Sequence, residues 1–305
     1  MPREPQPLRR SLSLPGRGLE MGLIDFGGDG PLAVTSHANG FCAALYEPIA
    51  RRLRDRYRVL AFDSRGHGRS SAPPPPEPYD WGEFIADWSA VAEALCARFS
   101  VAQVELGIGH SFGGSCLLAA AAREPARFRS IALLDPVIIP PPGQRVGGFH
   151  GEGDHPMAAA ARRRNAVFPS REAIRKSWAR RGVFSDWQPE VLEAYLREGF
   201  RDRDDGQVEL CCAPEVEASV FQLGPRLDLF TVIPALQTPT LWLHAGQGNF
   251  PRSMVEDAAS LSEQVSLESV ELGHLMAMTD PEPVAERLLE WGETQRREGA
   301  RLEAS

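Results

Sequence analysis

Lysine is almost missing from this 305-residue sequence: Lys176 is the only one among 33 basic residues. The skew reflects genome base composition rather than a physical demand, and no function follows from it. Basic charge is short as well. Against 41 acidic residues the net charge is −8, the wrong sign for a protein that gains affinity by neutralising phosphates, so nucleic acid is not an expected partner. Cysteine is sparse: Cys42, Cys96, Cys116, Cys211 and Cys212 form an odd set without CxxC spacing, which argues against both a disulfide framework and a zinc knuckle and suggests a reducing, cytoplasmic compartment. Long apolar runs are lacking too. None approaches the ~18 residues of a membrane span, and the Arg- and Pro-rich stretch 1–20 has no apolar core of a signal peptide, so no membrane partner is expected.

What is present is an ordinary globular composition, 43% hydrophobic and 24% charged, long enough for one large α/β domain with an insertion or for two domains. Strands are predicted at 19–26 and 31–36, joined as a hairpin through Gly27-Gly28-Asp29-Gly30. Strand and helix then alternate: helix 42–55, strand 57–63, helix 81–99, strand 101–107, helix 112–123, strand 129–135. That order means parallel strands joined by crossover helices. From 137 to 232 helix starts recur, at Ser170 before Arg171-Glu172 and at Asp186 before Pro189, without a buried-strand run. The alternation returns with strand 239–245, helix 252–263, strand 265–271 and helix 281–296. The expected fold is α/β, a mostly parallel sheet flanked by helices, built from 1–136 and 233–305 and interrupted by a helical insertion at 137–232.

The chemistry concentrates at Gly109-His110-Ser111-Phe112-Gly113, a G-x-S-x-G motif between a predicted strand and a predicted helix. A tight turn there presents a serine hydroxyl above the sheet at a helix N-terminus. Serine needs a base. His274, in Leu272-Gly273-His274-Leu275 after the strand 265–271, lies at the same carboxyl edge. His67, in Arg65-Gly66-His67-Gly68, is read as a packing residue beneath the site. His110 adjoins Ser111 with its side chain turned away, and together with Phe41, Trp178 and Trp187 it is a candidate for the substrate pocket; Phe168, Phe184 and Phe221 are further apolar residues of the insertion. An oxyanion needs two N–H donors, assigned to Phe112 and to Asn39 in His37-Ala38-Asn39-Gly40-Phe41.

His37 to Phe41, Asp63 to Ser70, Gly109 to Gly113 and Gly273-His274 together resemble the α/β-hydrolase superfamily, its serine-nucleophile branch with a helical cap, over about 20–136 and 236–297. The resemblance implies that the insertion roofs the active site as a cap domain. It also implies a triad, whose acid in many relatives follows the strand aligned with 241–245. Here that loop reads Gly246-Gln247-Gly248-Asn249, an asparagine where the acid is expected. Asp135, at the end of the strand after the nucleophile helix, is therefore assigned as the acid, which keeps the order serine, acid, histidine; Asp257 and Asp280 read as helix residues.

The function expected is a serine hydrolase cleaving a carboxylic ester, thioester or lactone of a small molecule through an acyl-enzyme. A carbon-carbon bond hydrolase, or a non-catalytic ligand-binding homologue favoured only by Asn249, are the alternatives. Ser111 in place of aspartate argues against alkyl-ester chemistry. No cofactor and no metal are expected: His150-Gly151-Glu152-Gly153-Asp154-His155 gathers possible ligands but reads as a solvated loop, and the arginines 162–164, 171, 175, 180 and 181 read as a solvated helical face. A monomer or homodimer is expected.

Overall fold

A computed structural model describes residues 7–140 and 155–303. The first half of the chain runs β1 (Leu8–Leu14), β2 (Leu19–Gly27), β3 (Leu32–Ser36), α1 (Glu47–Leu53), β4 (Arg58–Phe62), α2 (Trp81–Phe99), β5 (Val104–His110), α3 (Phe112–Arg123) and β6 (Phe128–Leu134). The insertion follows, with α4 (Pro156–Arg162), β7 (Val167–Phe168), α5 (Arg171–Trp178), α6 (Pro189–Glu198), β8 (Phe200–Asp202), β9 (Val208–Leu210), α7 (Pro214–Leu223) and α8 (Leu229–Val232). The chain returns through β10 (Thr240–Ala245), α9 (Arg252–Ala259), β11 (Val265–Val270), α10 (Met276–Thr279) and α11 (Pro281–Glu303).

The main sheet has eight strands in the order β1-β2-β4-β3-β5-β6-β10-β11. β1 pairs antiparallel with β2 and β2 antiparallel with β4; all other neighbours are parallel. Helices cover both faces, so the central strands are apolar on both sides. In β6, Ile131 and Leu133 pack with α2 and α3 while Ala132 and Leu134 pack with α1 and α11. α2 shows why its segment is helical. Trp81, Phe84, Ile85, Trp88, Val91, Ala92 and Leu95 are buried at a spacing of three and four, Asp80 caps the first turn through Gly82 N–H at 2.9 Å, and Ser100 ends the helix at φ 53°.

Three expectations are corrected. The strands 19–26 and 31–36 do not form a hairpin: β4 lies between β2 and β3. The glycines of the connection serve close passage instead, since a Cβ at Gly28 would lie 1.9 Å from the Tyr57 carbonyl oxygen and one at Gly30 2.0 Å from that of Arg56. Helix 42–55 is a 3₁₀ turn at Ala43–Tyr46 followed by the shorter α1. The insertion also holds a three-stranded antiparallel sheet, β7-β9-β8, besides its helices. Ser170 does cap α5, its Oγ accepting from Ala173 N–H at 3.1 Å.

Of the His150–His155 cluster, residues 150–154 lie outside the described residues. His155 caps α4 by accepting from Met157 N–H. Among the described residues no three metal-ligating side chains converge, and no helix is long and apolar enough to cross a membrane.

Candidate active site

The parallel pair β5–β6 sets the first two residues of the site. Both strands end in register, His110 opposite Leu134. Ser111 follows at φ 55° and ψ −126°, outside the regions an L-residue favours, and opens α3. Its N–H donates to the Leu134 carbonyl at 3.0 Å. Glycines make the turn possible: a Cβ at Gly109 would meet Gly114 Cα at 2.6 Å, and one at Gly113 would meet the His37 carbonyl oxygen at 2.5 Å.

Asp135 follows β6, also at positive φ, 43°, and is buried. Its N–H donates to the Leu243 carbonyl at 2.8 Å and its Oδ1 accepts from Ala245 N–H at 3.0 Å, so β10 fixes the carboxylate. Its Oδ2 lies 2.6 Å from His274 Nδ1, and His274 Nε2 lies 2.9 Å from Ser111 Oγ. A carboxylate can only accept, which places the imidazole proton on Nδ1 and leaves Nε2 to accept from the serine hydroxyl. The structure thus brings Ser111, His274 and Asp135 into one hydrogen-bonded chain. Asn249 takes no part in it. It sits on the adjoining loop, where Phe250 packs edge-on to His274 at 6.0 Å.

The loop 37–41 leaves β3, whose last residue Ser36 pairs with Gly109 of β5. Strand register therefore lays this loop beside the Ser111 turn. Among the described residues neither Asn39 N–H nor Phe112 N–H has a hydrogen-bond partner. Three neutral histidines support these loops from below. His37 donates from Nδ1 to the Ala38 carbonyl and accepts Ser64 N–H at Nε2; His67 donates to the Arg65 carbonyl and accepts Gly40 N–H. His110 accepts from the Tyr46 hydroxyl at 2.7 Å and donates from Nε2 to the His274 carbonyl at 2.8 Å. Burial lowers all three pKa values, to about 3 for His37, about 4 for His67 and about 3 for His110.

An Alpha/beta hydrolase family model matches residues 33–287. The chain belongs to the alpha/beta hydrolase family. A 2-(acetamidomethylene)succinate hydrolase of Mesorhizobium japonicum is 32% identical over 108 residues, 35% of this chain and 36% of that protein. A type I acyl-CoA thioesterase of Penicillium roqueforti is 32% identical over 135 residues, 44% of this chain and 29% of that protein. These matches span about a third of the relatives' length. The crystal structure of E-2-(acetamidomethylene)succinate hydrolase superposes with a TM-score of 0.78 at 21% identity over 94% of this chain and 99% of its own. The thioesterase domain from the curacin biosynthetic pathway gives 0.74 at 16% identity, covering 93% and 100%. At such identities the likeness shows the fold alone.

In this alpha/beta hydrolase family member a cavity of about 390 Å³ adjoins the loop 37–41 and is lined by Phe41, Phe168, Trp178, Phe184, Arg164 and Glu217 among others. His110 and Trp187 do not line this cavity. His110 is fully buried between Tyr46 and the His274 carbonyl because both its nitrogens are needed there. Trp187 is buried and packs against Phe41 at 5.3 Å and Phe184 at 4.9 Å. Phe221 stacks on His155 instead. Sequence reasoning missed Tyr46, Tyr195, whose hydroxyl donates to the Gly40 carbonyl at 2.9 Å, and the Arg164–Glu217 ion pair. No local signal marks them, since each meets the site from a distant segment.

Proposed function

We propose that this chain is a serine hydrolase that cleaves a carboxylic ester, thioester or lactone of a small molecule through an acyl-enzyme. The observation that carries this reading is the hydrogen-bonded chain from Ser111 Oγ through His274 to Asp135, at 2.9 and 2.6 Å. Ser111 Oγ attacks the carbonyl carbon as His274 Nε2 takes its proton, and His274 then returns that proton to the leaving group. Asp135 holds the Nδ1–H tautomer and stabilises the imidazolium, while Asn39 N–H and Phe112 N–H receive the oxyanion. Water repeats the sequence on the acyl-enzyme and releases the acid. The insertion at 137–232 acts as the cap that shapes the substrate pocket.

A relative named as an acyl-CoA thioesterase supports acyl transfer to water. A purely ligand-binding role is disfavoured by the backbone at Ser111, because a residue held at φ 55° and ψ −126° costs about 1–3 kcal/mol and serves no binding purpose. Fluorophosphonate labelling and turnover of p-nitrophenyl esters of graded acyl length test the reading. Ser111→Ala abolishes labelling and lowers kcat by a factor on the order of 10⁶, His274→Ala does about the same, and the double variant adds little. Full activity in Ser111→Ala would overturn it.

A further inference from the structure

The cavity beside the loop 37–41 has a composition that acyl transfer itself does not require. Its walls include the rings of Phe41, Phe168, Trp178 and Phe184, with Trp178 and Phe184 stacked at 4.2 Å and 12°. Its charged groups are one ion pair, Arg164 from the segment after α4 with Glu217 of α7. That pair rests on the loop. A Cβ at Gly40 would lie 2.8 Å from Glu217 Oε1 and 3.3 Å from Arg164 Nη1, and the Asn39 side-chain amide donates to the Glu217 carbonyl at 3.0 Å. The pair thus packs against the residue that follows Asn39 in the chain, and Phe41, the residue after that, is part of the cavity wall.

Charge decides what fits. Both side chains are mostly withdrawn from water, at 27% and 10% exposure, and burial pushes the Glu217 carboxyl up. A carboxylate offered to Arg164 meets the Glu217 carboxylate on the same guanidinium, and an ammonium offered to Glu217 meets the guanidinium. Either suffers like-charge repulsion from the member of the pair it does not bind. A neutral amide suffers neither: its carbonyl accepts from a guanidinium N–H while its own N–H donates to a carboxylate oxygen. With five donors on the guanidinium and about four acceptor sites on the carboxylate, their mutual contact leaves capacity for both bonds. The volume, about 390 Å³, lies within the ~300–1,000 Å³ of small-molecule sites.

We infer that this cavity is a substrate subsite for a flat apolar group bearing a neutral amide, with the rings holding the flat face and the Arg164–Glu217 pair reading the amide. That occupant is substrate only if Ser111 is the nucleophile, as proposed above, but its binding does not need Ser111. The test is therefore made on full-length Ser111→Ala protein, by equilibrium dialysis of three probes of equal shape: acetanilide, phenylacetate and isobutylbenzene. Acetanilide should bind about tenfold more tightly than either of the others, the worth of one hydrogen bond to a charged group. Adding Glu217→Gln removes the negative charge and should place phenylacetate first.

Acetanilide binding no better than phenylacetate or isobutylbenzene, or no binding of any probe, overturns the inference. So does an unchanged order in a Glu217→Gln protein that melts at the parent temperature. Should that variant not fold, Trp178→Leu replaces it: a loss of about tenfold in acetanilide affinity is expected from removing a stacked wall, and unchanged affinity overturns the inference. Fluorophosphonate labelling of the unaltered protein is scored separately. Labelling without an amide preference sinks the subsite alone, and an amide preference without labelling sinks the nucleophile reading alone.

Discussion

Asp135→Asn replaces one carboxylate oxygen by an NH2 of nearly the same size. The fold has little reason to respond: Oδ1 can still accept Ala245 N–H at 3.0 Å, and the backbone N–H still donates to the Leu243 carbonyl. The atom 2.6 Å from His274 Nδ1, however, becomes a donor. Nδ1 must then accept, the ring proton moves to Nε2, and Nε2 donates to Ser111 Oγ instead of accepting from it. The imidazolium formed during attack also loses its counter-charge. Two unit charges about 4 Å apart attract by about 4 kcal/mol at an effective dielectric of about 20, which is about three powers of ten in rate. Adding the tautomer penalty gives a fall of about 10⁴ in kcat, the size found when a triad aspartate is so replaced. The assay is kcat/KM on the best p-nitrophenyl ester at neutral pH, with Tm recorded beside it. A Cβ at Gly248 would lie 3.1 Å from Asp135 Oδ2, which puts the loop carrying Asn249 beside the acid, and Asn249→Asp in that background should restore part of the loss. A folded Asp135→Asn protein with near-normal kcat/KM would refute the reasoning and leave His274 without an acid.

Other expectations follow from the same geometry. Gly113→Ala drives a methyl to within 2.5 Å of the His37 carbonyl oxygen and 2.6 Å of Ser36 Oγ, so Tm and kcat should both drop; a wild-type melting curve would contradict it. His110→Phe leaves the Tyr46 hydroxyl and the His274 carbonyl without their bonds to this ring, at about 1–3 kcal/mol for each buried group, and should lower kcat more than it raises KM. Equal kcat would show that the tie to the histidine loop is dispensable. Acid should destabilise the fold. His37, His67 and His110 titrate near about 3, about 4 and about 3 when folded against 6.5 unfolded, so below pH 6.5 the unfolded chain binds more protons and stability falls with pH. Asp63, raised to about 6 from 3.8 by burial, opposes this between those two values, because there the folded state holds the extra proton. Three groups against one leave about two protons, or ~3 kcal/mol per pH unit near pH 5. Urea midpoints at neutral pH and near pH 5 measure it, and equal stability at both would contradict the assignment of neutral histidines.

Legibility in the sequence tracked how local each signal is. α2 and α3 span the predicted residues 81–99 and 112–123: in α2 a cap, an apolar stripe and a terminating turn all lie within the segment, and in α3 a continuous apolar, Ala-rich run follows the Ser111 turn. Ser111, His274 and Asp135 were nameable because each follows a strand end. β1 was not foreseen: its residues Leu8–Leu14 include three exposed polar ones before a single alternating pair is buried, and only pairing with β2 makes them a strand. The placement of β4 between β2 and β3 is a sheet-order property, decided by where Gly28 and Gly30 must pass, and glycines signal a turn equally well. In the insertion, β7, β8 and β9 are two or three residues long, too short for an alternation to register. The Arg162-Arg163-Arg164 run read as solvated charge, and it is the tertiary approach of Glu217 and Tyr195 that sets Arg164 apart from it.

Because Asp135 follows β6 directly, the proposed nucleophile and the proposed acid hang from one strand pair, with Leu134 bonded to Ser111 N–H, and the insertion begins after both. The acid is thus on the scaffold side of the seam. A chimera that exchanges the insertion for that of another protein of this architecture should be joined after Pro136 and before Ile233, which is buried in the main core, and would then carry Ser111, Asp135 and His274 intact whatever roof it receives. Joining two residues earlier, after Leu134, would hand the carboxylate to the donor.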